Sequence, residues 1–260
     1  MTTASDIADA IVQLPKPYLI AFDVDGTLSP IVARPESATV PPNVLADLET
    51  IASIPGTHVA LITGRDRTKL QSMVPLPKLW RATLHGREID DAQGRPLFDL
   101  ETDNDLVAKL ESFRSWLRLH APDALIEEKP GAIGVHVRPL FDIDRQRAQH
   151  VLEVASAQAV EIGLFVRHGR AMVEAETMVG DKGAALERIA VETKARSVFF
   201  AGDDITDFSA IEFASRHGVG VFVSSDEHQS VPVYASGVLG GTDDVVALLR
   251  ALVARLQAGR

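Results

Sequence analysis

The chain of 260 residues contains no cysteine. Disulfides, thiolate zinc sites and cysteine nucleophiles are therefore excluded. No apolar run approaches the roughly twenty residues of a membrane-spanning helix. Positive charge is scarce: 26 Lys and Arg stand against 36 Asp and Glu, for a net charge of -10 and a pI near 5.3. Such a chain is a poor general binder of nucleic acid or of an anionic membrane, so any positive field for an anionic ligand must be local. Met1 to Leu14 holds no Lys or Arg and lacks the basic start and apolar middle of a secretory signal. The expectation is a cytoplasmic protein, and nothing in the composition conflicts with a monomer. There is no internal repeat and no low-complexity tract. The hydrophobic share of 46% is that of a globular protein long enough for one large domain or two modest ones.

The most informative stretch is Asp23-Val24-Asp25-Gly26-Thr27, directly after the apolar run Tyr18-Leu19-Ile20-Ala21-Phe22. Five apolar residues in a row predict a strand buried on both faces. Carboxylates that follow such a strand sit at its carboxyl edge, where open α/β sheets bind ligands. Asp23 and Asp25, two apart on extended chain, point to one side and can share a small site. Two close carboxylates repel unless a cation sits with them. A divalent cation such as Mg²⁺ is the natural partner, and a carboxylate can also attack phosphorus. Asp-Gly is equally a common turn dipeptide, so this motif alone leaves a plain polar turn open.

Along the chain, the pattern predicts a short helix over 4–14, a strand at 18–22, a proline-rich loop from Ser29 to Pro42 and a helix from Pro42 to Ala52. A second buried strand, His58 to Ile62, runs into Thr63-Gly64-Arg65. A helix over 66–73 and a strand from Leu79 to Leu84 follow. This is the alternation of a parallel sheet with crossover helices. The pattern then changes. An amphipathic helix from Asp103 to His120, strands near 124–128 and 132–138, a helix over 142–161, and strands near 163–167 and 171–176 predict a small antiparallel sheet with helices on one face. The parallel pattern resumes with a helix at 181–192, a strand at Ser197–Ala201 ending in Gly202-Asp203-Asp204, a helix at 206–215, a strand at Val219–Val223, a short strand around Val238, and a last helix with Thr242 as N-cap. The expected organisation is an α/β core, residues 1–102 and 177–260, with an inserted α+β domain at 103–176.

Four polar clusters fall at ends of core strands or starts of core helices: Asp23/Asp25, Thr63-Gly64-Arg65, Lys182 and Asp203/Asp204/Asp207. Thr63 taken singly reads as a helix cap. Lys182 sits in a first helical turn, where the helix dipole disfavours a cation, so it is better explained if it faces an anion. Together these groups supply what phosphoryl transfer needs: a nucleophile, an acid/base, a metal site, a hydroxyl, a lysine and free amides.

The ordered set DVDGT, ITGR, DKG and GDDITD resembles the haloacid dehalogenase superfamily of phosphatases, and the inserted unit resembles that superfamily's C2-type cap. This implies a Rossmann-like parallel-sheet core. More narrowly, the chain is similar to trehalose-6-phosphate phosphatases in its DVDGTLSPI, LHGREI, Glu128-Lys129, GVHVR, MVE and GDKG stretches. Phe208 and Ser209 stand where that family often carries acidic residues. The resemblance implies a Mg²⁺-dependent phosphatase with a small sugar-phosphate substrate. Asp23 is the implied nucleophile and Asp25 the acid and base. Thr63, the Gly64 amide and Lys182 are implied to hold phosphate. Mg²⁺ is implied to lie on Asp23, the Asp25 carbonyl and Asp203, with Asp204 and Asp207 completing or orienting that set. Glu128, Lys129, His136, Arg138 and Glu174 of the cap are the expected sugar contacts, with Arg65 as a further substrate group. His136 and Arg138 are expected on one strand face.

Overall fold

In the computed structural model, residues 3–32, 34–98, 104–225 and 230–259 are described. The chain divides into two compact units, Met1–Asp99 with Gly180–Arg260, and Leu100–Val179. The expected boundary at 102/103 and the expected helix start at Asp103 lie outside the described residues.

The first unit is built on a sheet that opens with β1 (Tyr18–Phe22), after helix α1 (Ala4–Val12). Helix α2 (Pro42–Ala52), β2 (Thr57–Ile62), α3 (Arg67–Met73) and β3 (Trp80–Thr83) continue the series. Two short strands then turn back antiparallel, β4 (Glu88–Asp90) on β3 and β5 (Pro96–Phe98) on β4. The sequence pattern did not announce this hairpin, because strands of three residues are too short for a period to emerge.

The second unit, taken by itself, holds α4 (Asn104–His120), β6 (Leu125–Lys129), β7 (Ala132–His136), α5 (Arg138–Phe141), α6 (Arg145–Ile162), β8 (Phe165–Gly169) and β9 (Met172–Glu176). Its sheet runs β6-β7-β9-β8, antiparallel throughout. Ile133, Val135, Val173 and Ala175 turn one face toward Phe113 and Leu117 of α4 and Val151 and Ala155 of α6. By strand alternation Glu127, Lys129, Gly134, His136, Arg167, Glu174 and Glu176 line the other face.

The first unit resumes with α7 (Lys182–Thr193), β10 (Ser197–Gly202), α8 (Phe208–His217), β11 (Gly218–Val223), β12 (Gly237–Leu239) and α9 (Thr242–Ala258). The main sheet has the order β12-β11-β10-β1-β2-β3-β4-β5, parallel from β12 to β3. Alternation decides its two cores. Ile20, Phe22, Val59, Leu61 and Phe199 pack toward α1, α2 and α9, while Leu19, Ala21, Ala60, Ile62, Val198 and Phe200 pack toward α7 and α8. Successive strands run outward from β1 on one side and from β10 on the other, so the topological switch lies between them. In sheets of this kind the crevice beyond the strand ends at that point is where ligands bind.

Three local expectations are corrected. Strand β7 ends at His136, and Arg138 opens the short helix α5, because Pro139 has no N–H to extend a ladder. The turn between β8 and β9 falls at Arg170-Ala171, with Ala171 at φ 52°, so His168 and Gly169 belong to the strand. Gly241 precedes α9 with no side-chain cap, and Thr242 is the first helical residue; the Gly240 N–H is taken instead by Asp244 at 2.7 Å.

Phe22 is fully buried and meets Phe199 edge-on at 5.4 Å between ring centroids. Phe22→Ala is expected to cost about 3–5 kcal/mol of stability, read as a fall in the urea midpoint with little change in slope.

Candidate active site

Asp23 follows β1 on the side of Leu19 and Ala21, which is the side of α7 and α8. Its N–H extends the ladder by bonding Ala201 O at 2.9 Å. Parallel pairing of Phe22 with Ala201 brings the end of β10, and hence Asp203, beside it. Helix α7 starts at the same edge. Asp181 is its N-cap, accepting from the N–H of Gly183 at 2.8 Å and of Ala184 at 3.4 Å, so Lys182 is the first helical residue. Its Nζ lies 2.7 Å from Asp23 Oδ1 and 2.7 Å from Asp207 Oδ1. Lys182 is 3% exposed, Asp23 4%, Asp203 4% and Asp207 0%. The lysine placed against the helix dipole does face anions.

Asp207 is fixed from both ends. While Oδ1 accepts from Lys182, Oδ2 accepts the N–H of Asp203 at 3.1 Å and of Asp204 at 2.9 Å. The turn Ile205–Asp207 ahead of α8 makes this possible. Ser209 ties the two helix starts together, donating to Asp181 Oδ1 at 2.6 Å and accepting the Gly183 N–H at 3.1 Å. The serine that departs from the acidic pattern therefore has a structural task here.

Carboxylate oxygens of Asp23, Asp203 and Asp207 all lie within 4.8 Å of one another. Three buried carboxylates share the site with one ammonium, and two negative charges are left over when all are ionised. That excess, with oxygen donors alone, suits a hard divalent cation. Burial and then the neighbouring carboxylates push Asp203 up to about 7. Burial likewise raises Asp207, and it raises Asp23 well above the usual carboxylate range against the pull of Lys182. Burial alone would lower Lys182, but Asp207 and Asp23 overcome this and raise it.

Gly26 departs from the strand at φ 84°, and a Cβ there would overlap the Asp203 carboxylate, so the close approach requires glycine. Thr27 lies behind, its hydroxyl 3.5 Å from Asp203 Oδ1. Asp204, expected with the metal set, has an oxygen 3.1 Å from the Thr206 hydroxyl.

Thr63 follows β2 and is buried, its Oγ1 accepting the Arg65 N–H at 3.2 Å. The cap of α3 is Asp66, not Thr63. The imidazole of His85 lies where a side chain on residue 64 would go, within 2.5 Å of the position a Cβ would take, so any larger residue there would displace it. His85 and Leu84 both have positive φ, 58° and 51°, and are held by backbone bonds to Thr63 and Arg65. His85 was not among the expected site residues; its stretch carried the family resemblance, but a left-handed backbone at a non-glycine residue leaves no mark in sequence.

Asp25 differs from expectation most. Its carboxylate turns to Arg65, with Nε to Oδ2 and Nη2 to Oδ1 both 2.6 Å. Arg65, expected as a substrate group, is engaged with a catalytic candidate of its own unit.

Within the second unit, Lys129 bonds Glu174 at 2.5 Å and lies 3.6 Å from Glu127, which is 3.1 Å from His136. Arg167 meets Glu176 at 3.0 Å, and the Glu174 and Glu176 side chains are 3% and 2% exposed. Lys129, His136 and Glu174 are thus together on one face. Glu128 is not among them: it points to the helix side, where Arg114 of α4 donates to it at 2.8 and 3.1 Å. Arg138 is exposed on α5. Among the described residues no helix is long and apolar enough to cross a membrane.

The family model for trehalose-phosphatase matches residues 21–242. The chain belongs to the trehalose-phosphatase family. A trehalose-phosphate phosphatase of Mycobacterium marinum is 30% identical over 86% of this chain and 60% of its own length. The chain thus spans less than two thirds of that relative. The trehalose-6-phosphate phosphatase of Escherichia coli is 28% identical over 95% of this chain and 91% of its own. A solved C-terminal domain of a trehalose-6-phosphate phosphatase from C. albicans shares the fold at a TM-score of 0.78, with 20% identity and 96% of each chain covered. A haloacid dehalogenase-like hydrolase from Bacteroides thetaiotaomicron shares the fold at a TM-score of 0.66, with 14% identity and 94% of this chain and 99% of its own covered.

The carboxylate cluster gives a pH dependence with a fixed sign. Asp203 is raised from 3.8 to about 7 by folding, so the metal-free folded state binds more protons than the unfolded one between those values. The stability this gives is present below pH 3.8 and is lost as pH rises through about 7. In chelator, the melting temperature should therefore be penalised as pH rises across this window. A divalent cation held on these oxygens would compete with protons for them, so the gain on adding one should grow from pH 5 to pH 8. Calorimetry with and without Mg²⁺ checks this; a gain independent of pH would contradict it.

Proposed function

We propose that this chain is a Mg²⁺-dependent phosphatase that hydrolyses trehalose 6-phosphate. The observation that carries the reading is the buried Asp23 carboxylate, held by Lys182 at 2.7 Å beside two further carboxylates, in a chain of the trehalose-phosphatase family. Asp23 attacks phosphorus, and the bond from phosphorus to the sugar oxygen breaks as Asp25 delivers a proton to that oxygen. The aspartyl-phosphate so formed is hydrolysed when water, losing its proton to Asp25, attacks phosphorus and the Asp23 oxygen leaves. Lys182, the Thr63 hydroxyl and the Gly64 amide hold the phosphate oxygens as charge builds on them.

Asp23, Asp203 and the backbone carbonyl of Asp25 would hold Mg²⁺, with Asp207 orienting the set through the amides of Asp203 and Asp204. Bound there, it supplies the positive charge that lets a carboxylate approach a phosphate dianion. Lys129, His136 and Glu174 present donors and acceptors suited to sugar hydroxyls, and Glu127 belongs with them through its contacts to Lys129 and His136. Glu128, paired with Arg114, orders α4 on the sheet instead.

Phosphate release with Mg²⁺ should be much faster from trehalose 6-phosphate than from glucose 6-phosphate or sucrose 6-phosphate. Asp23→Asn should retain the fold and reduce release by at least about a thousandfold. Full activity in that variant would sink the mechanism. Preference for another ester on the panel would keep the core chemistry and replace the sugar. Lys129→Met should raise KM for trehalose 6-phosphate by about tenfold or more, the value of a hydrogen bond to a charged group, while p-nitrophenyl phosphate, which has no sugar, is hydrolysed as before.

A further inference from the structure

The Arg65 guanidinium grips both oxygens of Asp25 at 2.6 Å, in the two-pronged geometry that fixes a carboxylate in direction as well as in place. Asp25 needs such fixing. Its side chain is 41% exposed, whereas the Asp23, Asp203 and Asp207 carboxylates are sealed in. The direction of its carboxylate is set by the partner it bonds. Arg65 is itself well anchored: its side chain is 11% exposed, its N–H bonds Thr63 Oγ1 at 3.2 Å and its C=O accepts the Leu84 N–H at 3.0 Å. The arginine thus stands just beyond the end of β2 and reaches across to the segment after β1.

We propose that Arg65 is a positioning residue that acts through Asp25, setting the direction of the carboxylate that exchanges protons with the leaving oxygen and the attacking water. This rests on the phosphatase reading above. It assigns Arg65 to the proton-transfer group of its own unit rather than to the substrate. Acid–base groups contribute about 10²–10⁴ in rate, and only in the right orientation.

The test is a double-mutant cycle with Arg65→Met and Asp25→Asn on the full chain with Mg²⁺. Arg65→Met should lower kcat by about tenfold or more with KM nearly unchanged, and the double variant should be no slower than Asp25→Asn alone. Losses that multiply, or a change confined to KM, would overturn the proposal, because both mean that Arg65 acts on substrate or fold independently of Asp25. Arg65→Lys, which keeps the charge but cannot grip two oxygens, should recover only part of the loss; full recovery would also count against orientation. The ¹⁵N signal of the Arg65 Nε–H reads the pair without turnover. Asp25→Asn must move it in the free protein, and an unmoved signal overturns the pairing. If the pair is present and no phosphate ester is hydrolysed, the phosphatase reading fails while the clamp on Asp25 stands.

Discussion

The ammonium of Lys182, buried between Asp23 and Asp207, is the contact on which the site depends. Each of these charges would be costly alone in an apolar setting. Burying them together fixes three elements at once, since the lysine begins α7, one carboxylate ends β1 and the other precedes α8. The arrangement is deliberately incomplete: one cation cannot neutralise three carboxylates. On the proposed reading, that imbalance is what a metal ion would offset.

The remaining features keep this charged centre rigid. The sheet supplies fixed strand ends, and its two cores hold the strands from both sides. Asp181 and Ser209 lock the starts of α7 and α8 against each other, and the Asp207 carboxylate takes two backbone amides. By contrast Asp25 is only half covered and relies on one arginine. On the proposed reading, the carboxylate that exchanges protons is fixed by one two-pronged contact at the half-open side of the site, while the proposed nucleophile is buried against Lys182.

Much of this was legible in the sequence for identifiable reasons. Asp23 and Asp25 stood out because carboxylates directly followed a run apolar on both faces, and Lys182 because it opposed a helix dipole. The parallel core followed from alternation of buried runs with helical periods. What was not legible lay in side-chain direction and in short or strained elements. Nothing in Thr-Gly-Arg-Asp says that the arginine turns to Asp25. Glu127 and Glu128 are adjacent and alike, and only strand register sends one to the polar face and the other to Arg114. The hairpin of β4 and β5 escaped because Glu88 and Asp90 are buried charges, held by Arg67, in a place where pattern reading expects apolar residues.

The order of strands has a consequence for how the molecule is made. β1 lies between β2 and β10, and Asp23 and Lys182 are 159 residues apart. A chain emerging from the ribosome can pair β1 with β2 early, but the opposite edge of β1 stays bare until residue 202 has been synthesised. Through that interval an apolar strand edge is exposed and Asp23 lacks its lysine. The intervening Leu100–Val179 segment has its own apolar core and short-range antiparallel pairings, so it has the means to fold while the first sheet waits. Closure of the catalytic edge is then a late, long-range event, and the nascent chain depends until then on not meeting another open edge.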